Sequence, residues 1–107
     1  METWDILTLG VEPQHPLVLR SDAEARLVAI SLRAGEALDD HQVHERAYVV
    51  VVDGAIEVEH AGGTESGGQG FVAQFDPKER HEVRATTDTR LVLFLAPWPG
   101  EGHPSQR

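Results

Sequence analysis

Short apolar runs alternate with polar residues along most of the chain and are broken about every ten residues by Gly, Pro or Asp. The runs are rich in Val, Leu and Ile, which is the pattern of β-strands packed into a sandwich or barrel rather than of helices. Strands are predicted over Trp4 to Leu9, Pro16 to Arg20, Arg26 to Arg33, Val43 to Val52, Ala55 to His60, Gly70 to Phe75, His81 to Arg84 and Thr89 to Ala96. Within the third of these, Val28, Ile30 and Leu32 alternate with Leu27, Ala29 and Ser31, so one face is strongly apolar and the other mildly so. Tyr48 and the run Val49 to Val52 read as a strand buried on both faces, in the core or under a second subunit. The one stretch with helical character, Ser21 to Arg26, is shorter than two turns and reads as a turn carrying Asp22 and Glu24 into the next strand. Asp53-Gly54 lies between two β runs and predicts a hairpin, because both turn positions must tolerate positive φ. Thr64 to Ser66, bracketed by Gly62-Gly63 and Gly67-Gly68, is either an edge strand or a loop. The fold class is all-β.

Composition narrows the function classes. With 107 residues the chain fits one domain around a single core, and its last residues, 97–107, contain three prolines and no periodicity, so an extended and partly frayed tail is expected there. Eighteen acidic residues against nine Lys and Arg give a formal net charge of -9, which repels nucleic-acid phosphates and anionic membranes. Cysteine is absent, so there is neither a disulfide framework nor a thiolate site, and any metal must use His, carboxylate, amide or water. The acidic start Met1-Glu-Thr-Trp-Asp does not read as a signal peptide, and a cytoplasmic location is expected. No phosphate-binding loop, nucleophile elbow, zinc-protease helix or basic aromatic patch is present, and no organic cofactor is expected.

Candidate chemistry gathers around histidines. Three of the six, His41, His44 and His81, flank β runs with neighbours of buried character, whereas His15, His60 and His103 lie beside Pro, Gly or the chain end and read as solvated. Asp39-Asp40, just before His41, reads as a solvated loop, and Lys78, Glu79 and Arg80 as a charged turn. Around the first pair the chain runs Gly35-Glu-Ala-Leu-Asp-Asp-His41-Gln-Val-His44-Glu45-Arg-Ala-Tyr48 and on to Gly54. Around the third histidine it runs Gly70-Phe-Val-Ala-Gln-Phe-Asp-Pro77-Lys-Glu-Arg-His81.

These two segments resemble the cupin superfamily. Its first motif is Gly, five residues, His-x-His, three or four residues, Glu, six residues, Gly, and Gly35, His41 and Gly54 fall at matching offsets. Its second is Gly, five residues, Pro-x-Gly, two residues, His, three residues, Asn, approached by Gly70, Pro77 and His81 with one extra residue before the proline. The resemblance implies a double-stranded β-helix of the jelly-roll kind, a small barrel open at one end to a ligand or metal. It also implies pairing of two copies, as small cupins do, and Trp4 to Leu9 is the predicted apolar edge strand to be covered as a homodimer forms.

The departures are as specific as the matches. Val43 stands at the place of the second His, Ala47 at that of the Glu and Ala85 at that of the Asn, so His41 and His81 alone keep family positions. In a regular strand His41, Val43 and Glu45 share a face, making Glu45 the third ligand; a bulge between Gln42 and His44 brings His44 inward instead. Two or three imidazoles with a carboxylate and an open position suit a divalent Zn²⁺, Ni²⁺, Fe²⁺ or Mn²⁺. Two readings stay open: a metal site acting on a small polar molecule, and a non-catalytic binding or sensing barrel in which His41 and His81 are polar contacts at the mouth.

Overall fold

A computed structural model describes residues 1–41 and 45–96, with the backbone alone for 39–41. These residues form β1 (Leu17–Ser21), β2 (Arg26–Leu32), β3 (Ala37–His41), β4 (Arg46–Asp53), β5 (Ile56–His60), β6 (Gly63–Gly67), β7 (Val72–Phe75), β8 (His81–Ala85) and β9 (Thr89–Ala96), and no helix. Two antiparallel sheets result, one ordered β1-β2-β9-β4-β7 and the other β3-β8-β5-β6. From β2 onward the chain passes between the sheets at almost every connection, which winds it into the jelly-roll barrel.

The alternation read in the sequence places the core. Val28, Ile30 and Leu32 of β2, Ala47, Val49 and Val51 of β4, and Leu91 and Leu95 of β9 face Ile56 and Val58 of β5 and Val83 and Ala85 of β8, all buried in one cluster. Each buried Val, Leu or Ile stabilises by about 1.5–3 kcal/mol, so this inner layer is the principal driving force of a cysteine-free fold. In β4 the positions Tyr48, Val50 and Val52 between the core residues are half-buried rather than buried, so the strand has one core face and one partly open face.

Three local expectations are corrected. Trp4 to Leu9 is not a strand: the amides of Thr8 and Leu9 both donate to the Asp5 carbonyl, which closes a turn, and the Arg90 guanidinium ties this segment down through the carbonyls of Ile6 and Leu9. Asp53-Gly54 is not a hairpin turn, because β4 pairs with β7 and β9 whereas β5 pairs with β6 and β8. It is a corner between the sheets, and the expected positive φ is there, +96° at Gly54. A Cβ on Gly54 would run into the Asp88 carbonyl and Thr89, so the close approach requires glycine as well. Asp39 and Asp40 are strand, not loop: they lie within β3, at a register shift between the pairs Leu38↔Val83 and His41↔His81. The polar run Asp-Asp-His hid this strand, since neither alternation nor β-propensity marks it.

The turn from Ser21 to Arg26 forms as expected. Asp22 accepts from the amides of Glu24 and Ala25 through Oδ1, turning β1 back onto β2. Thr64 to Ser66 is an edge strand, β6, paired with β5. The expected tail lies outside the described residues.

Candidate functional site

His81 opens β8 at one end of the four-stranded sheet, on the inward side that continues through Val83 and Ala85. It is 4% exposed, and its ring lies face to face with Phe75 of β7, centroids 3.7 Å apart and planes 9° from parallel. Since β7 belongs to the five-stranded sheet, this stack joins the two layers at the barrel mouth. Nδ1 lies 3.1 Å from the Glu79 carbonyl oxygen. A carbonyl can only accept, so Nδ1 carries a proton; in the neutral ring the lone pair is then on Nε2, the tautomer in which Nε2 can serve as a metal ligand or acceptor. The expected charged turn supplies that carbonyl: Lys78 has φ +67°, the Glu79 amide donates to the Asp76 carbonyl, and the Asp76 amide donates to Glu79 Oε1.

His41 is paired in register with His81 across the β3–β8 ladder. The one-residue shift at Asp39 and Asp40 sets that pairing, and the expected bulge between Gln42 and His44 lies outside the described residues. His44 lies outside the described residues. Glu45 is a buried charged residue at 4% exposure, and the alternation of β4 accounts for it: 45, 47, 49 and 51 are buried while the residues between them are half-buried. It precedes by one strand repeat Ala47, which fills the family's carboxylate position with a methyl group inside the core. Ala85 likewise sits in the core. Among the described residues no three His, Asp or Glu side chains converge as a metal-binding group.

The sequence passed over His60. It ends β5, is partly buried, and is the register partner of His81 on the side away from His41, so His41, His81 and His60 form one row across β3, β8 and β5. An open groove of about 730 Å³ runs along this end of the sheet, lined by His60, His81, Thr64, Arg80 and the acidic Glu59, Glu79 and Glu82. The signal was available: in Ala55 to His60 the positions of Ile56 and Val58 put His60 on the apolar side, but its neighbours Ala61-Gly62-Gly63 outweighed that parity.

Comparison with known proteins agrees with this architecture. A family model described as a cupin domain matches residues 29–97. Among solved structures, an RmlC-like cupin from Desulfovibrio desulfuricans superposes with a TM-score of 0.80 at 22% identity, covering 91% of this chain and 97% of its own. A conserved protein with a double-stranded β-helix domain from Klebsiella pneumoniae gives 0.80 at 18% identity, with 92% of each chain covered. KdgF from a Halomonas species gives 0.71 at 22%, covering 83% and 85%. No curated protein matches the chain. With the two motif segments, the jelly-roll order of the sheets and a family match over most of its length, the chain belongs to the cupin superfamily.

Proposed function

We propose that this cupin binds a divalent metal at the barrel mouth through His41, His81 and one of His44 or Glu45, and that a small polar molecule binds against it. The observation that carries the reading is the wiring of His81: a buried imidazole, its ring plane set by Phe75 and its Nδ1 proton taken by the Glu79 carbonyl, with Nε2 as the lone-pair nitrogen. Residues paired across neighbouring strands lie on one side of a sheet, and His41 is assigned as its companion on that rule. A bound Zn²⁺, Ni²⁺, Fe²⁺ or Mn²⁺ would supply a Lewis acid that polarises an oxygen of the small molecule. The chain's own contribution is to hold the His81 imidazole in one tautomer and to keep the inner side of the site apolar through Phe75 and Val83.

Elemental analysis of the purified protein, with melting followed as each metal is added, tests this. About one metal per chain and a raised melting temperature are expected, since a ligand of the folded state alone must stabilise it. His81→Ala should abolish the rise. No metal and no shift would favour the second reading, a metal-free binding barrel, for which the buried Ala47 at the family's Glu position speaks.

We also propose that two copies pair through the outer face of the five-stranded sheet. Register aligns Leu17, Ala29, Val92, Val50 and Val72 in one row across its five strands, with Leu27, Phe94 and Tyr48 beside it. Leu17, Val72 and Phe94 are 39%, 55% and 37% exposed. Two chains of charge -9 repel each other, and the opposite sheet turns Glu57, Glu59 and Glu82 outward. The outward strand positions around Val50 and Val92 hold no carboxylate, so a second copy meets least repulsion there.

A further inference from the structure

The end of the barrel away from His81 holds a second cavity, of about 320 Å³, where Arg90 ties the N-terminal segment to β9. One register row forms its floor: Ser31 of β2, Arg90 of β9 and Asp53 of β4 lie side by side, and residues so paired share one side of a sheet. A bulge builds this row. Val51 pairs with Leu91 and Asp53 with Arg90, so Val52 is the extra residue that brings Asp53 opposite the arginine. The two form no ion pair even so. Arg90 Nη1 donates instead to the carbonyls of Ile6 and Leu9, while its Nε and Nη2 bond nothing and are not buried. The Asp53 carboxylate and the Ser31 hydroxyl are likewise without a hydrogen bond among the described residues.

The rim adds one charge of each sign, Arg33 and Asp88, so the cleft is electrically balanced. A net anion meets two carboxylates and the field of a chain of charge -9, and a net cation meets two guanidinium groups, whereas a molecule carrying both charges meets neither penalty. Adjacent strands lie about 4.8 Å apart, so Arg90 and Asp53 stand close enough to receive the two charged groups of one small zwitterion. We propose that this cleft binds a free α-amino acid with an apolar side chain. Nε and Nη2 of Arg90 donate to its carboxylate, helped by the Ser31 hydroxyl, and its ammonium donates to Asp53. Its side chain lies against Pro13 and Leu7 of the N-terminal segment, covering a leucine that is 53% exposed. The site is separate from the barrel mouth and does not depend on the metal reading.

L-Leucine is the probe, titrated into the metal-free full chain while backbone amide shifts are followed by NMR. Leucinamide, which lacks the carboxylate, and isocaproate, which lacks the ammonium, are titrated beside it. Leucine should give saturable shifts at Leu7, Ser31, Asp53 and Arg90, and each analogue should bind about tenfold more weakly, as loss of hydrogen bonds to a charged group requires. Asp53→Asn changes an exposed side chain that bonds nothing, so the fold is kept. It should weaken leucine about tenfold and leave isocaproate unchanged, because the ammonium alone uses Asp53. Absence of saturable shifts with leucine overturns the inference, as does equal affinity for leucine and either analogue, or an unaltered leucine affinity in Asp53→Asn. Shifts centred on His60 and His81 would place the ligand at the mouth and overturn it too.

Discussion

Phe75 and His81 are stacked 3.7 Å apart and 9° from parallel, and they come from different sheets. The pair is at once part of the core, since Phe75 belongs to the main buried cluster, and part of the candidate site. Packing therefore fixes the ring plane of His81, while the Glu79 carbonyl fixes its rotation and tautomer. With plane and proton both set by neighbours, the direction of the Nε2 lone pair is a property of the fold rather than of a mobile side chain.

Removing the stack should damage stability and site together. Phe75→Ala is expected to cost about 3–5 kcal/mol in urea unfolding, the usual range for emptying a buried aromatic position. In protein that remains folded, metal affinity should fall about 10- to 100-fold, the range for losing a group that orients a ligand. An unchanged metal affinity would mean that the stack packs the core and does nothing for the imidazole.

A second buried polar anchor holds the corner between β4 and β5. Thr89 is buried; its hydroxyl accepts from the Ala55 amide at 3.2 Å and lies 2.8 Å and 3.0 Å from the carbonyls of Thr87 and Ala55. Thr89→Val keeps the shape but leaves the Ala55 amide without that acceptor, and should destabilise by about 1–3 kcal/mol. Chemical denaturation with an unaltered midpoint would show that the corner is held by Gly54 and the flanking strands alone.

How far the sequence carries can be judged residue by residue. Strands with a regular beat of apolar residues were legible: β9 runs over Thr89–Ala96 as read, and Val28, Ile30 and Leu32 lie in the core as their alternation required. β3 was not legible, because Asp39 and Asp40 interrupt the beat where the register shifts, and a bulge has no compositional mark. The pairing of β4 was misjudged for a different reason. Asp53-Gly54 satisfies the local chemistry of a hairpin, and nothing within four residues distinguishes a turn within a sheet from a corner between sheets. His81 is found through spacing, whereas His60 is hidden by the Ala61-Gly62-Gly63 that follows it and reads as a solvated turn, although Ile56 and Val58 place it on the apolar side.

Acid should loosen the β1–β2 turn. The amides of Glu24 and Ala25 donate to Asp22 and hold its carboxyl below the usual value of 3.8, with Arg20 beside it adding to the effect. A depressed folded value means that the carboxylate stabilises the turn above pH 3.8 and that this contribution disappears as pH falls through the lower, folded-state value. Asp22→Ala should melt below the wild type at pH 6, with the gap shrinking below pH 3.8; a gap independent of pH would assign the effect to packing. The site is fully exposed, so added salt should narrow the part due to Arg20.

Phe94 is the residue on which pairing of two copies should turn. Its ring meets Tyr48 edge-on at 6.4 Å and 62°, and it stands in the middle strand of the five, flanked by Leu27 and Tyr48 in register. An apolar patch at the centre of a sheet face, with Arg20 and Arg46 toward its edges, has the arrangement of an interface core with a polar rim. Phe94→Glu puts a carboxylate opposite its own copy if the pair is two-fold symmetric, and like charges so placed cost several kcal/mol. Light scattering at micromolar concentration should give twice the chain mass for the wild type and the single mass for the variant, with circular dichroism of the two alike. A wild type that is already monomeric would leave this face solvated, and its exposed Val72 and Phe94 would then be a cost to solubility rather than an interface.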